Sequence, residues 1–293
     1  MDDEVQMVVK GGVAMLLVTR FAPSPTGWLH LGHAFAALFA HRAAEKVGGR
    51  FLVRLEDIDG SRVRPEYELA LREDLFWLGL QWEEPMRKQS EHFAEYQRAL
   101  EQLSDLGVLY PCFCTRREIQ EEIARAGHAP QGPDGPLYPG ICRSRPRAER
   151  EKLMAEGAAF ALRLDVTRAL SLVPKSLSWE DLSRGVQTAD PARFGDVVLA
   201  RKETPTSYHL AVVVDDAKQG VNLVTRGEDL FEATHVHRLL QELLGLPVPK
   251  WHHHRLITDE QGKRLAKRDD AKSLRTLRAE GWKPSDVLLA IGW

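Results

Sequence analysis

Short apolar runs alternate along this chain with longer stretches in which apolar residues recur every three or four positions. "MLLVTRFAP" is a run of the first kind, closed by a proline, and reads as a buried strand. From His30 onward, Leu31, Phe35, Leu38 and Phe39 fall on one helical face. That spacing predicts an amphipathic helix to about Lys46, stopped by Gly48 and Gly49. "RFLVRLEDID" predicts a second strand ending in acids, and "RPEYELALREDLFWLGL" and "SEHFAEYQRALEQLSDLG" predict two more helices. Strand, crossover helix and strand make a right-handed parallel unit, so the expected class is α/β, opening as a doubly wound nucleotide-binding sheet.

From Tyr110 to about Arg193 the periodicity breaks up, while Pro, Gly and Arg accumulate and all three cysteines occur. An inserted subdomain is expected there. "FGDVVLARKETPTSYHLAVVVDDAKQGVNLVTRG" predicts that the sheet resumes, followed by a helix in "EATHVHRLLQELLGL" and a last strand in "WHHHRLIT". The expected organisation is an N-terminal extension (1–14), a first half of a nucleotide-binding domain (15–109), the insert (110–193), a second half (194–271) and a short helical segment (272–293). Met15 stands directly before the first strand, so the extension is expected to be dispensable and a start at Met15 is the alternative.

Composition narrows the function. A chain of 293 residues can bury a large core, and a formal net charge of -2 excludes a globally basic nucleic-acid binder while leaving room for a local patch. No apolar run approaches the ~20 residues of a membrane span, and the acidic opening does not read as a signal peptide. Cys112, Cys114 and Cys142 suit a metal site in a reducing cytoplasm better than a disulfide framework.

His30 and His33 lie in the first turn of the predicted helix, at the carboxyl end of the first strand, where helix N–H groups meet ligands in such sheets. At i and i+3 they share a face and can donate to phosphate oxygens. Gly32 lets a flat ring approach the backbone.

"PSPTGWLHLGH" resembles the HIGH signature of class I aminoacyl-tRNA synthetases, and "KRLAKRD" resembles their KMSKS loop. "RFAPSPTG", "LVRLEDID", "AVVVDD" and "VTRGEDL" are similar to glutamyl-tRNA synthetases, over about Leu16 to Ala271. The resemblance implies a Rossmann-type parallel sheet with an inserted zinc-binding subdomain, and ATP with Mg2+ bound by His30, Gly32, His33, Arg264 and Lys267. His30, His33 and Lys267 are the expected catalytic groups. Arg264 replaces the first lysine of the loop and Ala266 its serine; a cationic loop still neutralises charge growing on the phosphates.

The same resemblance sets Arg20 and Arg226 against the carboxylates of L-glutamate, Glu56 against its ammonium, and Ala22, Ser24 and Tyr208 around it. Arginine suits this because its planar fork pairs bidentately. Three thiolates and one further donor would close one tetrahedral, structural zinc site per chain. The pattern C-x-C…Y-x-x-x-C of Cys112, Cys114, Tyr138 and Cys142 resembles that of short glutamyl-synthetase paralogues, with His128 the conventional rival for the fourth place.

Full-length glutamyl enzymes continue past the KMSKS loop into an anticodon-reading domain, whereas this chain stops at Trp293. The expectation is therefore a catalytic unit without that domain, similar to the short paralogues that attach glutamate to the queuosine base at the wobble position of tRNA(Asp). Such an enzyme would be cytoplasmic and monomeric, and partnered by ATP, L-glutamate and queuosine-bearing tRNA(Asp). The competing expectations are a truncated or split glutamyl-tRNA synthetase charging a tRNA 3′ end, and an inactive RNA-binding or regulatory paralogue.

Overall fold

A computed structural model describes residues 16–125, 131–258 and 272–293. The chain runs β1 (Val18–Phe21), α1 (Leu31–Glu45), β2 (Arg50–Leu55), α2 (Pro65–Trp77), β3 (Glu83–Lys88) and α3 (Phe93–Asp105). It continues through β4 (Leu109–Cys112), α4 (Arg116–Arg125), the short hairpin β5 (Gln131–Gly132) and β6 (Gly135–Pro136), α5 (Arg147–Ala155), β7 (Ala161–Leu164) and α6 (Val166–Ser171). Then come β8 (Ser178–Asp181), β9 (Gly185–Thr188), β10 (Val198–Ala200), α7 (Tyr208–Lys218), β11 (Leu223–Gly227), α8 (Ala233–Leu244), β12 (Lys250–His254), α9 (Leu274–Ala279) and α10 (Pro284–Ala290).

β1, β2 and β3 pair in parallel, and so do β11, β12 and β8, with β9 antiparallel at the edge. β1 and β11 lie side by side where these two sheets meet. Asn222 joins them: its side-chain oxygen accepts from Val18 N at 2.8 Å, and its own N donates to Val18 O at 3.1 Å. Their carboxyl ends therefore open at one crevice, the position at which α/β sheets bind ligands. A separate antiparallel sheet, β10-β7-β4, carries the cysteine-bearing segment.

Strand alternation decides which residues reach that crevice. On β2, Phe51, Val53 and Leu55 join the core under α1 and α2, so Leu52 and Arg54 face the opposite side, where Arg54 meets α7. On β1, Thr19 bonds Ala40 O of α1, whereas Arg20 reaches Asp216 of α7.

Two elements depart from the sequence reading. "AVVVDD" lies in helix α7 rather than in a strand. Leu210 through Asp216 are all buried, and a helix covered on every side shows no 3.6-residue period, so its β-branched run imitates a strand. β3 was not expected either, because "EEPMRK" is charged; as the edge strand of its sheet it needs little apolar surface. No described helix is long and apolar enough to cross a membrane.

Candidate active site

A cleft of about 400 Å3 opens at the carboxyl ends of β1 and β11. Arg20, Ala22, Ser24, His30, Gly32, His33, Glu56, Tyr208 and Arg226 all line it, although they come from five separate places in the sequence. Arg264 and Lys267 lie outside the described residues. The flanks of that stretch border the cleft: Ile257 lines it, and Ser273 bridges to His30.

His30 is the N-cap of α1, where Ser, Thr, Asp or Asn is usual. Its Nδ1 accepts from Gly32 N at 3.1 Å, and His33 Nδ1 accepts from His30 N at 3.2 Å, a reciprocal box built from two imidazoles. With both Nδ1 atoms accepting, each neutral ring carries its proton on Nε2. A Cβ on Gly32 would sit 3.0 Å from His30 Cε1, close enough that the His30 ring would have to shift by a few tenths of an ångström.

The two cleft arginines are compensated differently. Arg20 Nε donates to Asp216 Oδ1 at 3.0 Å and Nη1 to Thr225 O at 2.9 Å. The fully buried Arg54 shares that acid, donating to Asp216 Oδ1 at 2.8 Å, and lies 3.5 Å from Glu56 and 3.6 Å from Asp215. Asp215 is held in turn by Arg87, Gln89 and Tyr96. Burial raises the Glu56 carboxyl to about 7, against the opposing pull of Arg54 and Arg20.

Arg226 is 6% exposed, and its hydrogen-bond partners are all neutral. Nη2 donates to Thr234 Oγ1 at 2.6 Å, Nη1 to Tyr208 at 3.4 Å and to His237 Nδ1 at 3.2 Å, and Nε to His253 Nε2 at 3.0 Å. Among the described residues it forms no ion pair. Burial lowers its pKa from the ordinary value, as expected of a desolvated cation.

The three sulfurs converge as expected. Their ligand atoms lie within 4.8 Å of one another, with Cys114 and Cys142 Sγ at 3.4 Å. Tyr138 Oη stands 3.4 Å from Cys112 Sγ and 3.5 Å from Cys114 Sγ. Donors around one tetrahedral zinc would be about 3.5–3.8 Å apart, so this set fits the ion. His128 lies outside the described residues.

Several groups at the site were not foreseen as such. Arg54, Asp215 and Asp216 were visible only as parts of quoted motifs. His252–His254 lie on the strand expected in "WHHHRLIT". In the fold His252 and His254 do share a face, against Phe39, while His253 meets Asp181, 72 residues earlier. The run "RSRPRAEREK" begins α5, which buries none of its residues and pairs Arg147 with Glu151, as a solvated helix does.

The family profile described as tRNA synthetases class I (E and Q), catalytic domain, matches residues 16–292. The chain belongs to this family. Within the class I synthetases it is 50% identical, over 94% of its length and 100% of the relative's, to a protein of Rhodobacter capsulatus named glutamyl-Q tRNA(Asp) synthetase. It is 41% identical to the glutamate–tRNA ligase of Aquifex aeolicus, covering 94% of this chain and 57% of that synthetase. The solved glutamate–tRNA synthetase of Elizabethkingia anophelis superposes with a TM-score of 0.81 at 27% identity, over 95% of this chain and 61% of that one.

Proposed function

We propose that this protein activates L-glutamate with ATP, without needing tRNA, and transfers the glutamyl group to the queuosine base at the wobble position of tRNA(Asp). The observation that carries the reading is Arg226, a buried guanidinium surrounded by neutral groups. Burying an unpaired charge costs several kcal/mol, so this site is built to receive an anion. Glutamate supplies two carboxylates, for Arg226 and Arg20, and an ammonium for Glu56. Ala22, Ser24 and Tyr208 shape the walls. The relatives named glutamyl-Q tRNA(Asp) synthetase support this acceptor over a tRNA 3′ end.

In the activation step a glutamate carboxylate oxygen bonds to the α-phosphorus of ATP, and the bond to the β-phosphate oxygen breaks, releasing pyrophosphate. His30 and His33 would donate to the phosphates and Gly32 would lie under the adenine; Arg264 and Lys267 would offset charge on the departing pyrophosphate. Magnesium accompanies ATP and supplies further charge neutralisation. In the transfer step a hydroxyl of the cyclopentene-diol attacks the activated carbonyl carbon, and AMP leaves. Neither step needs a covalent enzyme nucleophile.

Cys112, Cys114, Cys142 and Tyr138 would hold one zinc, whose role is to fix a segment with little core of its own. The organisation we assign is a catalytic domain interrupted by a cysteine-bearing insert, working as a cytoplasmic monomer. The expected 110–193 bounds do not match the strand pairing, because β8 and β9 join β12 in the catalytic sheet while β10 joins β7.

The test is pyrophosphate exchange with glutamate and no tRNA, followed by transfer to tRNA(Asp) with and without queuosine. Exchange with glutamate, poor exchange with glutamine, and transfer only to the modified tRNA are expected. Glutamine leaves a buried guanidinium facing an amide and should be rejected. Charging of unmodified tRNA(Glu) would favour a 3′-end synthetase instead, and absence of exchange an inactive paralogue.

A further inference from the structure

Arg226 is oriented by a device that starts outside the cleft. His253 stands directly opposite it in the parallel pairing of β11 with β12. A guanidinium can only donate, so His253 Nε2 must accept from Arg226 Nε at 3.0 Å. The proton of the neutral ring is then on Nδ1, which donates to Asp181 Oδ2 at 2.6 Å. Both side chains of that pair are wholly buried.

Asp181 is itself fixed. Its Oδ1 accepts from Ser183 N at 3.0 Å, Ser183 Oγ at 2.6 Å and Arg184 N at 3.1 Å, and its Oδ2 also accepts from His253 N at 3.2 Å. Such a carboxylate can only accept, so it admits only one tautomer of the ring in front of it. The arrangement also keeps the negative charge one imidazole away from Arg226. Arg20, by contrast, touches its acid directly.

We propose that Asp181 and His253 are positioning residues for the carboxylate-binding Arg226. Asp181 locks the Nδ1–H tautomer of His253, and His253 anchors Arg226 through Nε without neutralising it, so the guanidinium faces the substrate with its charge intact. The inference rests on the reading of Arg226 as a glutamate receptor. It also gives the segment before β9 a task at the active site, because β8 carries Asp181 into the sheet.

Asp181→Asn tests the lock. Two backbone N–H groups hold an oxygen at the Oδ1 position against one, His253 N, at Oδ2, so the amide nitrogen is favoured on the His253 side. That forces the ring proton onto Nε2, donor against donor with Arg226. The expected result is a KM for glutamate raised tenfold or more in pyrophosphate exchange, a KM for ATP within twofold of wild type, and a fall in glutamate-over-glutamine preference. His253→Gln, which keeps an acceptor near Arg226, should be milder than His253→Leu.

The readout independent of activity is NMR of 15N-histidine-labelled full-length protein. It should show an Nδ1–H tautomer for His253 in the wild type and an Nε2–H tautomer in Asp181→Asn. An Nε2–H ring in the wild type, or an unchanged KM and preference in folded Asp181→Asn, would overturn the inference. If instead Arg226→Leu left glutamate exchange intact, the glutamate-pocket reading itself would fall, whichever tautomer His253 shows.

Discussion

Arg20 and Arg54 donate to one carboxylate oxygen, Asp216 Oδ1, at 3.0 and 2.8 Å. The three groups come from β1, β2 and α7, so a single acid ties the central strands to the helix behind the cleft. Removing one partner of a buried ionic group leaves the others uncompensated, at about 3–5 kcal/mol. Asp216→Ala should therefore unfold at markedly lower urea concentration than the wild type. Asp216→Asn should recover part of the loss, since an amide oxygen still accepts. Denaturation curves of the three proteins check this.

Glu56 gives the site a pH dependence. Burial raises its carboxyl from 4.5 to about 7, so between those values the folded protein holds a proton that the unfolded chain releases. Its contribution to stability consequently falls as pH rises across that window. Substrate binding runs the other way: an ammonium needs the carboxylate, so glutamate should bind more weakly as pH drops below about 7. The KM for glutamate measured from pH 6 to 8 should fall, and Glu56→Gln should flatten the profile while raising KM throughout.

Metal analysis of the purified protein should find one zinc per chain. Cys142→Ser should lose it and loosen the segment around β4 and β7, seen as faster proteolysis there. Tyr138→Phe discriminates the fourth ligand: it should weaken zinc retention against a chelator, whereas His128→Ala should not. The opposite pattern would assign the place to His128.

His33→Ala removes half of the reciprocal cap as well as a phosphate donor. Its exchange rate should fall tenfold or more, about 1.4 kcal/mol of barrier. Lys267→Ala should show a similar loss with an unchanged melting temperature. His33→Ala should also melt lower than Lys267→Ala, because His30 N loses its acceptor at the start of α1.

The sequence alone determined what is local. Short apolar runs placed β1, β2, β11 and β12, and i, i+3 spacing placed His30 and His33 on the first turn of α1. Its motifs were specific enough to name the family and to select nine described residues that now line one cleft. Tertiary structure decided how buried charges are matched. Asp216 is 196 residues from Arg20, and Asp181 is 72 residues from His253. Neither pairing follows from periodicity, because a side chain's face is set by its neighbours in sequence, while its partner is set by the order of strands. Burial likewise hid α7: with helices and strands packed around it, no polar stripe remains to betray its period. The difference between a neutralised Arg20 and a charged, insulated Arg226 exists only in the folded chain, and with it the electrostatic character of the pocket.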